Sequence, residues 1–239
     1  MIGSSRIHAA LSALKYRLLA SMPQKLYWTL MGYFRPVPAV TSEHTSLAES
    51  LDSGRRVVAM FDRLELVNPD ATTLQIGCGI GRIEYYLCKR VRFCYGIDIS
   101  PSMIKKARAI VHAPNVKFLC SNGLGLAELN DSTFDFVYSI FVFQHLPREI
   151  VRNYFRDSFA KLVNEGTFAF QMMVDDTGSI PEPPAAHPYG LRYYRRAQVR
   201  RLLENVGFDQ IRIYDFETME PDAGAKVGDV LFVATKPAT

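Results

Sequence analysis

Long apolar runs are scarce in this sequence, and their scarcity argues against a membrane-spanning protein. No segment approaches the roughly 18 apolar residues that a membrane-spanning helix requires. The only candidate for a signal peptide, residues 9–20, is interrupted by Lys15 and Arg17. We therefore expect a cytoplasmic protein.

The sequence also lacks closely spaced cysteine pairs and has only a small net charge. Both observations argue against further classes of protein. A net charge of +4 over 239 residues, with Lys and Arg spread through the chain, gives little reason to expect a nucleic-acid partner. The adjacent carboxylates Asp175 and Asp176 are too few for a metal centre, so we predict no metal. The cysteines lack the close paired spacing of a zinc site and are interpreted as reduced thiols: Cys78, Cys88, Cys94 and Cys120.

What the chain does contain is a regular alternation of candidate strands and helices. Apolar runs rich in β-branched and aromatic residues predict seven strands, at 72–76, 93–97, 116–120, 134–139, 167–173, 211–215 and 230–235. Helical segments are predicted at 82–88, 101–111, 148–162 and 197–205. Strands alternating with helices imply an α/β fold, with a mostly parallel sheet covered by helices on both faces.

A glycine-rich loop follows the first predicted strand. Gly77, Gly79 and Gly81 alternate with other residues between that strand and a helix, where glycine permits a tight turn and the close approach of a ligand. Asp98 ends the next strand, where its carboxylate can accept both hydroxyls of a ribose. The spacing G-x-G-x-G differs from the G-x-G-x-x-G of dinucleotide sites. The pattern therefore predicts a nucleoside ligand.

Further landmarks follow in order after Asp98, and together they resemble the class I methyltransferases that use S-adenosylmethionine (SAM). The landmarks are 115–123, 134–139 and 162–166, which look like the third strand with its adenine-contacting turn, the fourth strand, and the turn before the fifth. The resemblance implies a Rossmann-like, seven-stranded, mostly parallel sheet whose last strand is antiparallel. It also implies a set of residues that bind SAM: Gln75, Gly77, Cys78, Gly79, Gly81, Arg82, Asp98, Ile99, Met103, Asn122, Gly123 and Ser139.

Two of these residues depart from the family pattern. Gln75 stands where an acidic residue is usual, and Asn122 stands where Asp commonly accepts a hydrogen bond from the adenine amino group. Both amides can still accept through a carbonyl oxygen. The change at Gln75 nevertheless removes a negative charge near the sulfonium and amino end of SAM.

Two side chains are candidates for work on the methyl acceptor, which we expect to be a small molecule methylated on oxygen. His145 follows the fourth strand and is the only group there that titrates near neutral pH, so it is a candidate general base. A structural role, as a helix cap or a cofactor contact, is the stronger alternative. Asp175, just past the fifth strand, is the second candidate.

The first 46 residues are interpreted as an N-terminal helical extension of a methyltransferase domain at 47–239. Ile7, Leu11, Leu14 and Leu18 recur at helical spacing, and an aromatic-rich stretch follows at 27–34. A lid over the acceptor pocket is the favoured interpretation. The alternative is an amphipathic surface, within residues 1–40, that docks peripherally on an anionic membrane.

Two rival functions remain alongside SAM-dependent methyl transfer. One is a non-catalytic relative that binds SAM, or nothing, and acts as a scaffold, to which the departures at Gln75 and Asn122 give modest support. The other is an NAD(P)-dependent oxidoreductase, which the glycine spacing and the missing Tyr-x-x-x-Lys argue against. The sequence makes no prediction of the oligomeric state.

Overall fold

The fold is built around one seven-stranded sheet. The computed structural model describes residues 22–40, 46–131, 133–184, 187–222 and 224–238. The strands lie in the order β3-β2-β1-β4-β5-β7-β6. Their bounds are β1 Thr72–Ile76, β2 Phe93–Asp98, β3 Val116–Cys120, β4 Phe134–Ser139, β5 Leu162–Asp175, β6 Asp209–Asp215 and β7 Val227–Thr235.

The strand directions confirm the predicted fold class. Strands β1 to β5 pair in parallel, whereas β7 runs antiparallel between β5 and β6. β1 lies at the centre, with β2 and β3 on one side and β4 and β5 on the other, so the strand order reverses there. In open parallel sheets, ligands bind at the carboxyl ends of the strands beside such a reversal.

Helices occupy the connections. They are α1 Gln24–Phe34, α2 Pro36–Val40, α3 Leu47–Arg63, α4 Glu84–Leu87, α5 Pro101–Ile110, α6 Arg148–Lys161 and α7 Arg196–Val206, with a short 3-10 helix at Phe143–His145. α3 begins with a capping box in which Ser46 and Glu49 satisfy each other's backbone N–H groups. α5 begins after Ser100, whose hydroxyl accepts from the Met103 N–H, and α7 ends at Gly207 in the left-handed region.

Alternating side chains of the central strands divide the core between the two faces of the sheet. Val137 belongs to one apolar cluster, and its neighbours Phe136 and Tyr138 belong to the other. β5 repeats the pattern, with Phe168 on the first face and Ala169 on the second. The sheet is therefore buried on both sides, which explains why its strands are almost continuously apolar in sequence.

Clear differences from the predicted boundaries are at residues 162–166 and 82–88. Residues 162–166, expected to form a turn, already belong to β5, because Leu162 pairs with Phe134 before the register shifts and Thr167 pairs with Phe136. Glu165 takes up this irregularity with a positive φ of 61°. The helix expected at 82–88 is only the single turn of α4.

The described part of the N-terminal segment packs on the core. The Ser102 hydroxyl of α5 donates to the Thr29 carbonyl of α1 at 2.6 Å. A Cβ on Gly32 would lie 2.5 Å from that hydroxyl oxygen, so α1 approaches α5 closely. The helix predicted around Ile7 to Leu18 lies outside the described residues, and the division at residue 46 stays a prediction. Within the described ranges, no helix is long and apolar enough to cross a membrane.

Candidate functional site

The glycine loop turns sharply at the carboxyl end of β1. Gly77, Gly79 and Gly81 have φ values of 74°, 55° and 78°, a region that residues with a Cβ rarely adopt. The N–H groups of Gly77 and Cys78 both donate to the Ile97 carbonyl, at 2.8 and 2.9 Å, which ties the loop to β2. These positions need glycine because of their backbone conformation, and the loop leaves its surface open to a ligand.

Asp98 is held beside this loop by two backbone hydrogen bonds. Its Oδ2 accepts from the Gly79 N–H at 2.9 Å, and its Oδ1 accepts from the Ser100 N–H at 2.8 Å. Burial in the cavity wall raises the pKa of Asp98 to about 6, although the two N–H groups act in the opposite direction. Asp98 is therefore a fixed acceptor that is still ionised at neutral pH.

A cavity of about 860 Å³, including solvent at its mouth, joins the loop and Asp98 to the segment after β4. The cavity is lined by ten of the residues predicted from the sequence: Gln75, Gly77, Cys78, Gly79, Arg82, Asp98, Ile99, Met103, Gly123 and His145. The structure thus brings most of the predicted site together around one space.

Three residues predicted to bind the cofactor do not line this cavity. Gly81 packs against α5 and β3 and shapes the turn. The Ser139 hydroxyl is buried and donates to the Ile76 carbonyl at 3.1 Å. Asn122 is exposed: its amide nitrogen donates to Glu128 at 2.9 Å, and its carbonyl oxygen accepts from the Leu124 N–H at 2.8 Å. Ser121 lines the cavity at this turn instead.

Asp175 also lies outside the cavity, which removes the geometric basis for its predicted catalytic role. Its carboxylate accepts from the backbone N–H groups of Thr177, Gly178 and Ile180, at 2.8 to 3.1 Å, and from the Thr177 hydroxyl. These bonds, led by that of the Thr177 hydroxyl, lower the pKa of Asp175 to about 2. The carboxylate organises the loop after β5 and is too weakly basic to remove a proton.

His145 does face the cavity. Burial lowers the pKa of its imidazole to about 4, so the ring is neutral at physiological pH. Its Nδ1 is buried and has no hydrogen-bond partner, and its Nε2 lies 3.4 Å from the Gln144 amide nitrogen.

The wall opposite the glycine loop comes from residues that the sequence did not single out. Gln24 and Trp28 of α1 line the cavity, and the Gln24 amide donates to the His145 carbonyl at 2.7 Å. The Trp28 ring lies 5.8 Å from the imidazole. α1 therefore forms a roof over the site, in the position expected of a lid.

A buried arginine ties the loop after β5 to the same roof. Arg192 donates to the carbonyls of His145 at 2.9 Å and Pro184 at 3.0 Å. Farther along this loop, the Tyr189 ring stacks on Tyr27 of α1, with centroids 5.0 Å apart. Nothing in the local sequence marks Arg192, because its role depends on carbonyl groups that are distant in the chain.

The segment between β4 and His145 carries a strained backbone. Phe141 has a positive φ of 63°, which is unusual for an aromatic residue, and it lines the cavity. Its N–H donates to the Gln171 side chain of β5 at 3.0 Å. The Gln171 amide in turn donates to Gln144 at 2.7 Å. This buried amide pair holds the segment in the conformation that aims its side chains at the cavity.

Gln75 is paired with a carboxyl group behind the cavity wall. Its amide is oriented with the nitrogen toward Glu84, 2.5 Å from Oε1 and 3.0 Å from Oε2, since both oxygens are acceptors. Glu84 begins α4 and is fully buried, and the Tyr138 hydroxyl donates to it at 3.1 Å. Burial raises the pKa of Glu84 to about 8. Sequence analysis did not identify this pair, since a glutamate in the first turn of a helix is usually exposed.

Comparison with known proteins agrees with this geometry. Residues 74–170 match the family model described as a methyltransferase domain. A 2-methyl-6-phytyl-1,4-hydroquinone methyltransferase of Synechocystis is 34% identical over 97 residues, which are 39% of this chain and 30% of the relative. Ajmaline N-methyltransferase of Rauvolfia serpentina is 30% identical over 133 residues, which are 51% of this chain and 45% of the relative. The chain spans less than half the length of either relative.

Solved structures share the fold at low sequence identity. The [4+2]-cyclase SpnF has a TM-score of 0.61 and 17% identity, over 78% of this chain and 81% of the cyclase. Phosphoethanolamine N-methyltransferase 2 of Haemonchus contortus, in complex with SAM, has a TM-score of 0.61 and 16% identity, over 77% of this chain and 53% of that one. With the strand order, these matches show a Rossmann-like α/β fold in which residues 74–170 resemble a methyltransferase domain.

Proposed function

We propose that this protein transfers a methyl group from SAM to a small-molecule acceptor. The observation that carries the proposal is the cavity that joins the glycine loop and Asp98 to His145. Donor and acceptor must meet in line within one enclosed space for a displacement at carbon. The methyltransferase domain match over residues 74–170 supports the same reaction class.

The residues of the cavity fit SAM, which supplies an activated methyl group when bound. Asp98 offers the free lone pairs of a fixed carboxylate to a ribose diol, and the left-handed glycines leave room for the methionine part. Arg82 lines the cavity and donates to the Ser53 hydroxyl at 3.1 Å. Burial lowers the pKa of Arg82 to about 10, so it remains a cation and can attract the carboxylate of the donor.

For the acceptor we favour a hydroxyl group on an apolar or aromatic molecule. The cavity wall near His145 is formed by Trp28, Ile140 and Phe141, and none of these carries a charge. With Nε2 facing the Gln144 amide nitrogen, the neutral imidazole carries its proton on Nδ1, and this N–H can donate to an acceptor oxygen and orient it toward the methyl group. The two curated relatives act on a hydroquinone and on ajmaline by name, which supports a small-molecule acceptor.

Calorimetry tests the proposal directly. S-adenosylhomocysteine (SAH), the demethylated donor, is titrated into the protein, with NAD as the comparison ligand. We expect SAH to bind and NAD not to bind. In a separate assay, we expect the protein to transfer labelled methyl groups from SAM to members of a panel of phenols. Absence of SAH binding would favour a scaffold, and a preference for NAD would favour an oxidoreductase.

Replacement of His145 by Gln tests the role of its imidazole. We expect kcat/KM for methyl transfer to fall about tenfold, the value of one hydrogen bond of roughly 1.4 kcal/mol. Saturating SAM removes the effect of Asp98 and Glu84 on donor binding, and the low pKa of His145 keeps its imidazole neutral above about pH 4, so we expect no loss of kcat between pH 8 and pH 5.5. SAH affinity, measured by calorimetry, is the control and should not change. A loss of rate centred near pH 6.5 would contradict this assignment.

Membrane contact through α1 also stays a proposal, supported by its exposed aromatic residues. Tyr33 and Phe34 are each 72% exposed, beside Leu26 at 47%. Exposed aromatic side chains favour the membrane interface. We expect the protein to float with vesicles that contain phosphatidylserine, and the double variant Tyr33→Ser, Phe34→Ser to float severalfold less. Leu191→Ser, which changes an exposed residue elsewhere, is the matched control, and equal flotation of all three proteins would rule out contact through α1.

A further inference from the structure

Glu84 is a buried acid that no step described so far employs. It is fully buried, and its carboxyl group accepts from the Tyr138 hydroxyl and the Gln75 amide. Within the described residues it forms no ion pair, and Arg82 attracts it through space without direct contact. An unpaired buried carboxyl is costly, and an apolar side chain of similar size would fill this position more stably.

The surroundings of Glu84 suggest what offsets this cost. Gln75 lines the cavity, and its side-chain amide contacts the Glu84 carboxyl group. The carboxyl group therefore lies behind Gln75, one side chain away from the cavity. Arg82 brings a buried positive charge to the same wall. A cationic ligand would be repelled by Arg82 alone, and an anion in this place restores a favourable potential for it.

We propose that Glu84 is the anionic group of the donor site: bound SAM, a cation, favours the ionised form of the Glu84 carboxyl group, whereas the neutral product SAH does not, so the site prefers SAM. The inference rests on the proposed function. Gln75 transmits the interaction, because its amide dipole is fixed between the carboxylate and the cavity. Burial in a medium of low dielectric keeps the charge effective over more than one side chain. Glu84 thereby promotes release of the spent donor.

The other ionisable groups around Glu84 do not provide this discrimination. Tyr138 and the thiols of Cys78 and Cys94 have pKa values raised by burial, so they remain neutral at physiological pH. Asp98 is ionised, and its Oδ2 is directed to the Gly79 N–H on the ribose side of the loop. Glu84 is the remaining acid that is coupled to the cavity through Gln75.

Calorimetry with both SAM and SAH tests the role of Glu84. The variant Glu84→Gln keeps the shape of the side chain and removes its charge. We expect its affinity for SAM to fall about tenfold, the effect of one partly screened charge, while its affinity for SAH changes less than about twofold. An equal change for both ligands, or no change for either, would overturn the proposal.

Exchanging the amide and the carboxyl group between Gln75 and Glu84 provides a second test of the proposal. The double variant Gln75→Glu, Glu84→Gln preserves the amide–carboxylate pair and keeps one negative charge at the wall. We expect it to recover the wild-type ratio of SAM to SAH affinity, and it serves as the decisive measurement if Glu84→Gln does not fold. A ratio that stays low in the double variant contradicts the proposal. Wild-type protein that binds neither ligand contradicts the proposed function itself, whereas wild-type binding without a change of ratio refutes only the role of Glu84.

Discussion

Replacing Asp98 by Asn should weaken SAH binding about 100-fold, equivalent to roughly 2.7 kcal/mol. The carboxylate already accepts from Gly79 and Ser100, and it retains lone pairs for a ribose diol. An amide has a single acceptor oxygen and no charge, so it cannot serve both the backbone and two hydroxyls. Calorimetry measures the change, and circular dichroism verifies that the variant is folded.

Asp135→Asn is the matched control for Asp98→Asn. Asp135 also accepts a hydrogen bond from a backbone N–H, that of Thr72, at 2.8 Å. It lies near the start of β4, at the amino ends of the parallel strands, whereas the cavity lies at their carboxyl ends. We therefore expect this variant to bind SAH as the wild type does. If Asp98→Asn bound SAH within about threefold of the wild type, Asp98 would not be the ribose partner.

Replacing Gly54 by Ala should destabilise the protein, against the usual order of helix propensities. Ala is favoured over Gly in a helix interior by about 1 kcal/mol. Gly54, however, lies in α3 where a Cβ would come 2.0 Å from the Arg82 carbonyl oxygen and 2.6 Å from its carbonyl carbon. Both atoms belong to the backbone and cannot rotate away. We expect a net loss of about 2 to 3 kcal/mol, and a decrease in Tm of about 5 to 10 °C.

Ala59→Gly in the same helix separates the two effects on stability. Ala59 is exposed, so this variant should lose only the propensity difference of about 1 kcal/mol. Propensity alone would make the two substitutions opposite in sign, whereas the structure makes both destabilising. Urea unfolding measures the free energies. A Gly54→Ala variant more stable than the wild type would show that α3 does not approach the Arg82 backbone this closely.

The fold was predictable because its signals are local. The strand–glycine–helix turn at 77–81 and the acid at the end of β2 depend only on neighbouring residues, and β1 to β4 lie within about one residue of their predicted bounds. β5 and β7 proved longer than predicted, since their ends pair with each other. Pairing between distant segments extends strands in ways that local patterns do not record.

Two predicted site residues lie outside the cavity for a shared physical reason. Asn122 and Asp175 each begin a loop and accept hydrogen bonds from backbone N–H groups of the next few residues. These hydrogen bonds direct both side chains toward their own loops. Short polar side chains commonly compete for their own backbone in this way. A spacing rule that places such residues near a site cannot distinguish a ligand contact from a turn.

The residues that were missed depend on contacts across the fold. Glu84 and Gly54 acquire their roles from Gln75 and from the Arg82 backbone, which are separate elements of the structure. The role of Arg192 depends in part on the His145 carbonyl, 47 residues earlier in the chain. No periodicity or motif indicates which distant group will lie beside a residue, so these roles are visible only in the three-dimensional structure.

The His145 carbonyl accepts from Gln24 of α1 and from Arg192 of the loop after β5, so two of the hydrogen bonds that hold the roof end on the main chain at this position. Any amino acid would present the same carbonyl group. Side-chain variation at position 145 can therefore change the cavity wall without removing these two hydrogen bonds. Related sequences can thus differ in the side chain at this position, and in acceptor selectivity, while they keep the hydrogen bonds that close the cavity.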